Sequence, residues 1–409
     1  MSRIYNAARI VQRGSSGLGL PKALSAKTIE IIKSTAPVVA PLAVEITTNF
    51  YARLFINHPE LFAFFNKSNQ NQQKQARALA QSIIAYATHI ENLGALVGPH
   101  GPVDLIAHKH CGLNVLPGQY PVVHDNLMAS IGEVLGGVVT PEIGAAWSES
   151  VLFLAKVLID REEVLYTEAE NRSGGWRNFK KFKIVAIDDI ADSKKQFTFT
   201  PSDGSDGPYE FDAGQFISLK VDPNGDGLIA PRHYTVTSAP NSNELQCTIK
   251  LVEGGVVSTY FHNDVKVGDE LDMSPPFGIF TPRENDDAPI VLLSSGIGIT
   301  PMVNFYRHFG DRVGLIVHLE HDEASHAYKS FFDAASCPKQ FIYTSAGRPS
   351  ASSIVANMKE SLGDKWDIAN IYMCGPVRFM ADIMNEVGDD VKGRLFSEKF
   401  GPELDNKEI

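Results

Sequence analysis

Cysteine is scarce in this chain. There are four, Cys111, Cys247, Cys337 and Cys374, far apart and without Cys-x-x-Cys spacing. That argues against a zinc or iron–sulfur centre and fits a reducing compartment. Positive charge is also in deficit. Lys and Arg number 37 against 48 Asp and Glu, a formal net charge of −11, so a surface that tracks nucleic acid is not expected. No apolar run is long enough to cross a bilayer, and no repeat or low-complexity tract is present. What remains is a globular composition, 44% hydrophobic and 21% charged. At 409 residues the chain exceeds one ordinary core, so two to three domains are expected.

Acid is missing from the start. Arg3, Arg9, Arg13 and Lys22 precede the first acidic residue, Glu30. As a helix, Ile4, Ala7, Ala8 and Val11 line one side with Arg9 and Arg13 opposite, and Gly14-Ser15-Ser16-Gly17 ends it. Such an Arg-rich extension, residues 1–24, resembles a mitochondrial transit peptide. A disordered basic tail has the same composition, so the matrix and the cytoplasm both stay open.

Residues 25–170 read as helical. Ser25 caps a helix from Ala26 to Ala36, and Pro37 and Pro41 punctuate the approach to the next, Leu42 to Phe55. There Val44, Thr47, Thr48, Tyr51, Leu54 and Phe55 share a face. A short aromatic turn, Leu61 to Phe65, leads to a helix from Gln72 to Glu91, with Gln75, Leu79, Ser82, Ile83 and Tyr86 on one side. After the Gly98 to Pro102 loop comes Val103-Asp104-Leu105-Ile106-Ala107-His108-Lys109-His110-Cys111. At helical spacing Val103, Ile106, Ala107 and His110 share a face, and His108 stands roughly 200° away near the polar side. An imidazole aimed into an apolar layer is a satisfied core histidine or an axial metal ligand. Further helices run from Tyr120 to Leu135, and from Pro141, capped by Thr140, to about Tyr166.

Ser173-Gly174-Gly175-Trp176 breaks the pattern, and the periodicity becomes two. Residues 173–285 carry strands at Lys180–Ile187, Lys195–Thr200, Gln215–Val221, Tyr234–Thr237 and Leu245–Leu251, with one helix near Ser258–Asn263. An antiparallel barrel is expected. Residues 286–409 alternate strand and helix. Strands at Ile290–Ser294, Gly314–Leu319, Gln340–Thr344, Asn370–Cys374 and Arg394–Ser397 predict an α/β domain on a parallel sheet.

Several short motifs suit nucleotides. Ser294-Ser295-Gly296-Ile297-Gly298-Ile299-Thr300-Pro301 follows a strand and opens a helix. Its glycines admit a pyrophosphate to the backbone, and the helix start favours the charge. Pro301 replaces the third glycine of a full dinucleotide fingerprint. Cys374-Gly375-Pro376 ends a later strand on the same sheet end, where ligands of open parallel sheets sit. In the barrel, Arg232 and Tyr234 of Arg232-His233-Tyr234-Thr235 point the same way, a cation and an aromatic suited to a phosphate and a flat ring. Thr235 points to the other side. Gly254-Gly255-Val256-Val257-Ser258 offers free amides and a hydroxyl at a helix start. A tight turn or a hairpin accounts for each glycine pair taken alone.

In this order, RxYT, GGxVS, GxGxTP and CGP resemble the ferredoxin–NADP reductase family. That resemblance implies flavin contacts from Arg232, Tyr234 and Thr235, pyrophosphate contacts from Gly254, Gly255, Val257 and Ser258, and a nicotinamide nucleotide site at Gly296, Gly298, Thr300, Pro301, Cys374, Gly375 and Pro376. The front half supplies Asn49-Phe50-Tyr51, Phe65 to Gln70, Gln75, Ile90 to Leu93, Lys109-His110, Gln119-Tyr120 and Arg161-Glu162. With Gly174-Gly175-Trp176 at the junction, these resemble the flavohaemoglobins, from Ser25 to Pro402.

The resemblance implies a globin domain, an FAD barrel and an NAD(P) domain, with haem b, FAD and NAD(P)H as cofactors. It makes His110 the proximal iron ligand, Tyr120 and Glu162 its hydrogen-bond partners, Tyr51 and Gln75 the distal pair, and Phe65 and Leu79 the packing against haem. Glu398 lies near the flavin and Phe400 covers its ring. Lys399 departs from a common cysteine, Ile299 from a common glutamine. The implied activity is a nitric oxide dioxygenase: hydride to FAD, single electrons to haem, and nitric oxide with O2 converted to nitrate. A reductase for other acceptors and a gas-binding sensor are the alternatives. Glu320, Asp322 and Glu323 after the second strand disfavour a 2′-phosphate, whereas Arg348 after the third could accept one.

Overall fold

The computed structural model describes residues 18–65, 73–98, 100–227, 229–283 and 286–400. The expected basic helix around Ile4 to Val11 and its Gly-Ser break lie outside these. The chain forms two compact units. One is built on the chain up to Glu170, the other on Asn171–Pro223 and Arg232–Phe400.

The first unit is helical: α1 (Ala26–Val39), α2 (Ala43–Asn57), α3 (Lys74–Thr88), α4 (Gly94–Val97), α5 (Pro102–Leu113), α6 (Tyr120–Leu135) and α7 (Pro141–Asn171). Ser25 caps α1 by accepting from the Thr28 amide, and Thr140 caps α7 by accepting from Ile143. Pro37 does not end α1. It sits in the last turn, where the Ala40 amide still reaches Ala36. Leu18, Leu20 and Leu24 pack on the same core as these helices, so the C-terminal part of the extension contributes to the domain.

Two helix faces differ from expectation. On α2, Val44 is 41% exposed, and the buried face is Ala43, Ile46, Thr47, Phe50 and Leu54. On α3, alanines 76, 80 and 87 are buried and the Gln75–Leu79–Ile83 side only partly so. Small residues allow close approach: the Thr47 hydroxyl donates to the Ala76 carbonyl across the two helices at 2.7 Å. The longer side chains then flank that contact.

The second unit holds two sheets. The antiparallel one comprises β1 (Lys180–Ala191), β2 (Lys194–Pro201), β3 (Phe216–Val221), β4 (Ala230–Thr235), β5 (Leu245–Lys250) and β6 (Glu270–Met273), with α8 (Val256–Asn263) inserted. Its order is β4-β3-β6-β1-β2-β5, and a Val236–Cys247 bridge joins the two edges into a barrel. Sequence reading overlooked β6, a four-residue strand between β1 and β3. It is too short to display a period. Strand β4 begins at Ala230, two residues before the Arg232 at which the motif reads as opening a strand, because Pro231 looks like turn chemistry.

The parallel sheet comprises β7 (Ile290–Ser295), β8 (Val313–Glu320), β9 (Lys339–Tyr343), β10 (Asn370–Cys374) and β11 (Leu395–Glu398), in the order β11-β10-β7-β8-β9. Helices α9 (Ile299–Phe309), α10 (Lys329–Asp333), α11 (Ala351–Leu362), α12 (Val377–Glu386) and α13 (Asp389–Lys392) separate the strands. Val291, Leu293, Leu315 and Val317 feed one core with Met358 and Ile383. Ile290, Leu292 and Ile316 feed the other with Met302, Phe305 and Phe332. Burial on both faces explains the continuous apolar strands.

Candidate functional site

On α5, His108 departs from the helical-wheel expectation of a polar side, and His110 keeps its place on the face of Val103, Ile106 and Ala107. His108 is the buried one, 7% exposed, with Nε2 3.8 Å from Asp104. The His110 side chain is 31% exposed. Position on a wheel ignores which neighbour is polar, and Asp104 gives His108 an ionic reason to be inside.

His110 is held by one ring nitrogen. Its Nδ1 lies 2.8 Å from Glu162 Oε1 and 3.1 Å from the Tyr120 hydroxyl, and Tyr120 donates to the same Glu162 oxygen at 2.5 Å. A carboxylate accepts only, so Nδ1 carries the proton and the lone pair stands on Nε2. Among the described residues, Nε2 has no hydrogen-bond partner. Glu162 is 2% exposed and continues the buried stripe Leu158, Ile159, Leu165, Tyr166 of α7. It is a core carboxylate, not a solvated helix end. Burial first, then the Glu162 charge, raises the Tyr120 hydroxyl pKa well above its ordinary value, so it stays a donor. An imidazole fixed in this tautomer with Nε2 free is the donor set that fits haem iron.

The remaining haem candidates converge on one core. Tyr51, Phe65 and Leu79 pack against it with Ile106, one turn before His110. The Tyr51 ring is 4.9 Å from Phe50, 5.9 Å from Phe55 and 5.5 Å from Phe65. Burial among them pushes its hydroxyl above the usual tyrosine pKa. Gln75 is half-buried on α3, one turn before Leu79.

In the barrel, β4 carries Arg232, His233 and Tyr234 half-buried in succession. Arg232 and Tyr234 are half-exposed on one side, and Thr235 is buried. Burial lowers the Arg232 pKa and raises that of Tyr234. His233 Nδ1 meets the Ser218 hydroxyl at 2.7 Å, which ties β4 to β3. Gly254 takes φ +69°, and Gly255 opens α8. A Cβ on Gly255 would stand 2.7 Å from Ser258 Oγ. Val257 is buried on α8. Ser258 is not a free hydroxyl: it accepts from the Val252 amide and donates to the Gly255 carbonyl, each at 3.1 Å, and so holds the loop.

At the parallel sheet, Gly296 takes φ +58°, and a Cβ on Gly298 would lie 2.2 Å from the Cys374 carbonyl oxygen. The loops after β7 and β10 are therefore in backbone contact. Thr300 donates to Ile297 at 3.0 Å, and Pro301 is buried in the first turn of α9. Gly375 abuts Ser295, and Pro376 caps α12. Glu398 is the register partner of Cys374 on β11, and Phe400 is 56% exposed. From β7 the chain adds β8 and β9 on one side and then β10 and β11 on the other, all parallel, so the order reverses at β7 and the switch-point crevice lies at these two loops.

Two groups escaped sequence reading. Glu320 does not face a ribose from an exposed loop. It is buried and paired with Lys194 of β2 at 3.0 Å, with Lys194 also donating to Ser325. Asn304 accepts from Gly214 at 2.7 Å and donates to Ser238. Both tie barrel to parallel sheet, and nothing local in the sequence signals partners 66 to 126 residues away.

Fold and site together define a class: a globin joined to a barrel-and-parallel-sheet flavin reductase. Residues 48–158 match the globin family model, and residues 181–281 the oxidoreductase FAD-binding domain. A flavohemoprotein of Rhizobium meliloti is 36% identical over 407 residues, covering 93% of this chain and 99% of its own. Flavohemoprotein B of Dictyostelium discoideum is 33% identical, covering 93% and 95%. The crystal structure of flavohemoglobin from Malassezia yamatoensis, with bound FAD and heme, superposes with TM-score 0.80 at 28% identity, covering 93% of this chain and all of that one. The chain belongs to the flavohaemoprotein family. Among the described residues, no helix is long and apolar enough to cross a membrane.

Proposed function

We propose that this flavohaemoprotein is an NAD(P)H-dependent nitric oxide dioxygenase. The observation that carries the reading is the buried Glu162, which accepts from both His110 and Tyr120. Bound haem b and FAD would supply hydride acceptance, single-electron delivery and the reaction of O2 with nitric oxide to nitrate.

The chain's own residues place and tune those groups. His110 would hold the iron through Nε2. Glu162 keeps the proton on Nδ1 and raises the electron donation of the ring, which favours activating oxygen over storing it. Tyr120 fixes the carboxylate. Tyr51 offers a hydroxyl on the distal side, where burial keeps it protonated and able to donate. Gln75 would join it there, and Phe65 and Leu79 would pack the macrocycle. Arg232, Tyr234 and the Gly254-Gly255 amides would hold FAD, with Thr235 behind them. The crevice between Gly298 and Gly375 would take the nicotinamide nucleotide, with Glu398 and Phe400 at its flavin end.

The test is nitric oxide consumption by the haem- and FAD-loaded protein, with NADH or NADPH, in air and without O2. Loss of nitric oxide that needs both O2 and a nicotinamide supports the dioxygenase. Nicotinamide oxidation with nitric oxide left intact would assign the reductase to another acceptor.

A further inference from the structure

The proximal relay is built where α5 crosses α7, and a second polar contact joins the same two helices. Asp104 and His110 stand six residues apart on α5. Arg161 and Glu162 are neighbours on α7. Arg161 Nε donates to Asp104 Oδ1 at 2.8 Å, and the His100 amide donates to Oδ2 at 3.0 Å. Both carboxylate oxygens are committed, and the Asp104 side chain is 8% exposed. Farther along, the Tyr166 hydroxyl donates to the Val115 carbonyl at 3.1 Å, and Cys111 Sγ lies 3.7 Å from the Glu162 carbonyl.

We infer that Asp104 and Arg161 are positioning residues for the iron ligand: their ion pair sets where Glu162 stands against His110. The inference rests on the reading of His110 as that ligand.

Two physical arguments carry it. Adjacent residues of α7 reach residues of α5 that are about 9 Å apart along its axis. Fixing one contact therefore fixes the crossing, and with it the length of the His110–Glu162 bond. A buried ion pair is a poor way to add stability, since apolar side chains of similar volume do as well or better, but its geometry is specific. Second, Arg161 is next to Glu162 in the chain. Asp104 occupies its guanidinium. Released from Asp104, the guanidinium would still stand one residue from Glu162 in the chain, and a cation drawn to that carboxylate withdraws the charge that His110 draws on.

The experiment compares Asp104→Asn and Arg161→Gln with Glu162→Gln, each in the full chain loaded with haem and FAD. Asp104→Asn keeps shape and an acceptor oxygen but loses charge. The readouts are the iron–histidine stretching frequency of the ferrous protein and the ferric/ferrous midpoint potential. Asp104→Asn should move in the direction of Glu162→Gln, to a lower frequency and a higher potential. Arg161→Gln, which loosens the crossing but leaves no cation to reach Glu162, should move the frequency the same way by less. Asp104→Glu should stay near the parent. Nitric oxide consumption should fall roughly three- to tenfold, less than for loss of a group bonded directly to the ligand. The inference is overturned if frequency and potential stay at parent values while only the melting temperature drops. Should Asp104→Asn fail to retain haem, Arg161→Gln decides on the frequency, because that side chain reaches solvent. If Glu162→Gln itself moves neither readout, the proximal reading fails first, and this inference with it.

Discussion

Gly298 has no room for a side chain, because its Cβ position lies 2.2 Å from the carbonyl oxygen of Cys374. The neighbour is backbone at the end of a buried strand and has nowhere to move. Gly298→Ala should therefore push apart the loops after β7 and β10. The expected cost is about 1–3 kcal/mol in urea unfolding, as for other overpacked sites. The KM for nicotinamide should rise more than kcat falls, read with an artificial electron acceptor. A kinetic profile like the parent's would mean the crevice is elsewhere.

Glu162→Gln and Tyr120→Phe should separate two roles. The first removes the charge that Nδ1 donates to, the second only a fixing bond. Nitric oxide consumption is expected to fall about 10–100-fold for Glu162→Gln, and less for Tyr120→Phe. Haem content measured by pyridine haemochrome should be unchanged in both.

Lys194 is 1% exposed, and its removal strands the Glu320 carboxylate in the interior. Lys194→Met should cost about 3–5 kcal/mol. The double variant Lys194→Met/Glu320→Leu should recover most of it, since no uncompensated charge remains. Urea unfolding of both proteins checks the pair; a double variant no better than the single would refute the ion-pair account.

Acid should weaken the parallel-sheet domain. His326 lies under burial that lowers its pKa to about 4, with Glu320 and Asp333 pulling up and Lys329 and Lys194 pulling down. His318, its ring 4.5 Å away, is held well below its usual value by burial. A histidine depressed in the folded state binds more protons when unfolded. Its neutral form thus contributes fully above about pH 6.5, and that contribution is lost as pH falls towards 4. His326→Gln should flatten the fall by about 2–3 kcal/mol across that window. The measurement is the urea midpoint between pH 7 and 4.5.

Much of this was legible along the chain. Ser25 and Thr140 announced their helices through capping chemistry, and Tyr120–Leu135 carried a clean helical period. The central strands β7, β8 and β10 stood out because burial on both faces makes them largely apolar, and the edge strands β9 and β11 by their alternation with helices. Strand β6 was silent for lack of length. The α3 face was read only in part: Leu79, Ile83 and Tyr86 pack on the core, but alanines, weak in any hydrophobic pattern, make the closest helix contact. Glu162 occupied a core position of a helical stripe, a signal the neighbouring charges Arg161 and Glu163 obscured.

Local pattern by itself determined the order of helical, antiparallel and alternating segments and the turns after β7 and β10, because each depends on residues near in sequence, and the resemblance of the motifs carried the family. Tertiary structure alone decided that His108 is buried against Asp104, what Glu320 binds, and that Gly298 touches Cys374. Those outcomes depend on charges and backbone brought together from distant parts of the chain. A buried carboxylate takes whichever cation or donor the fold delivers, and no periodicity records which one that will be.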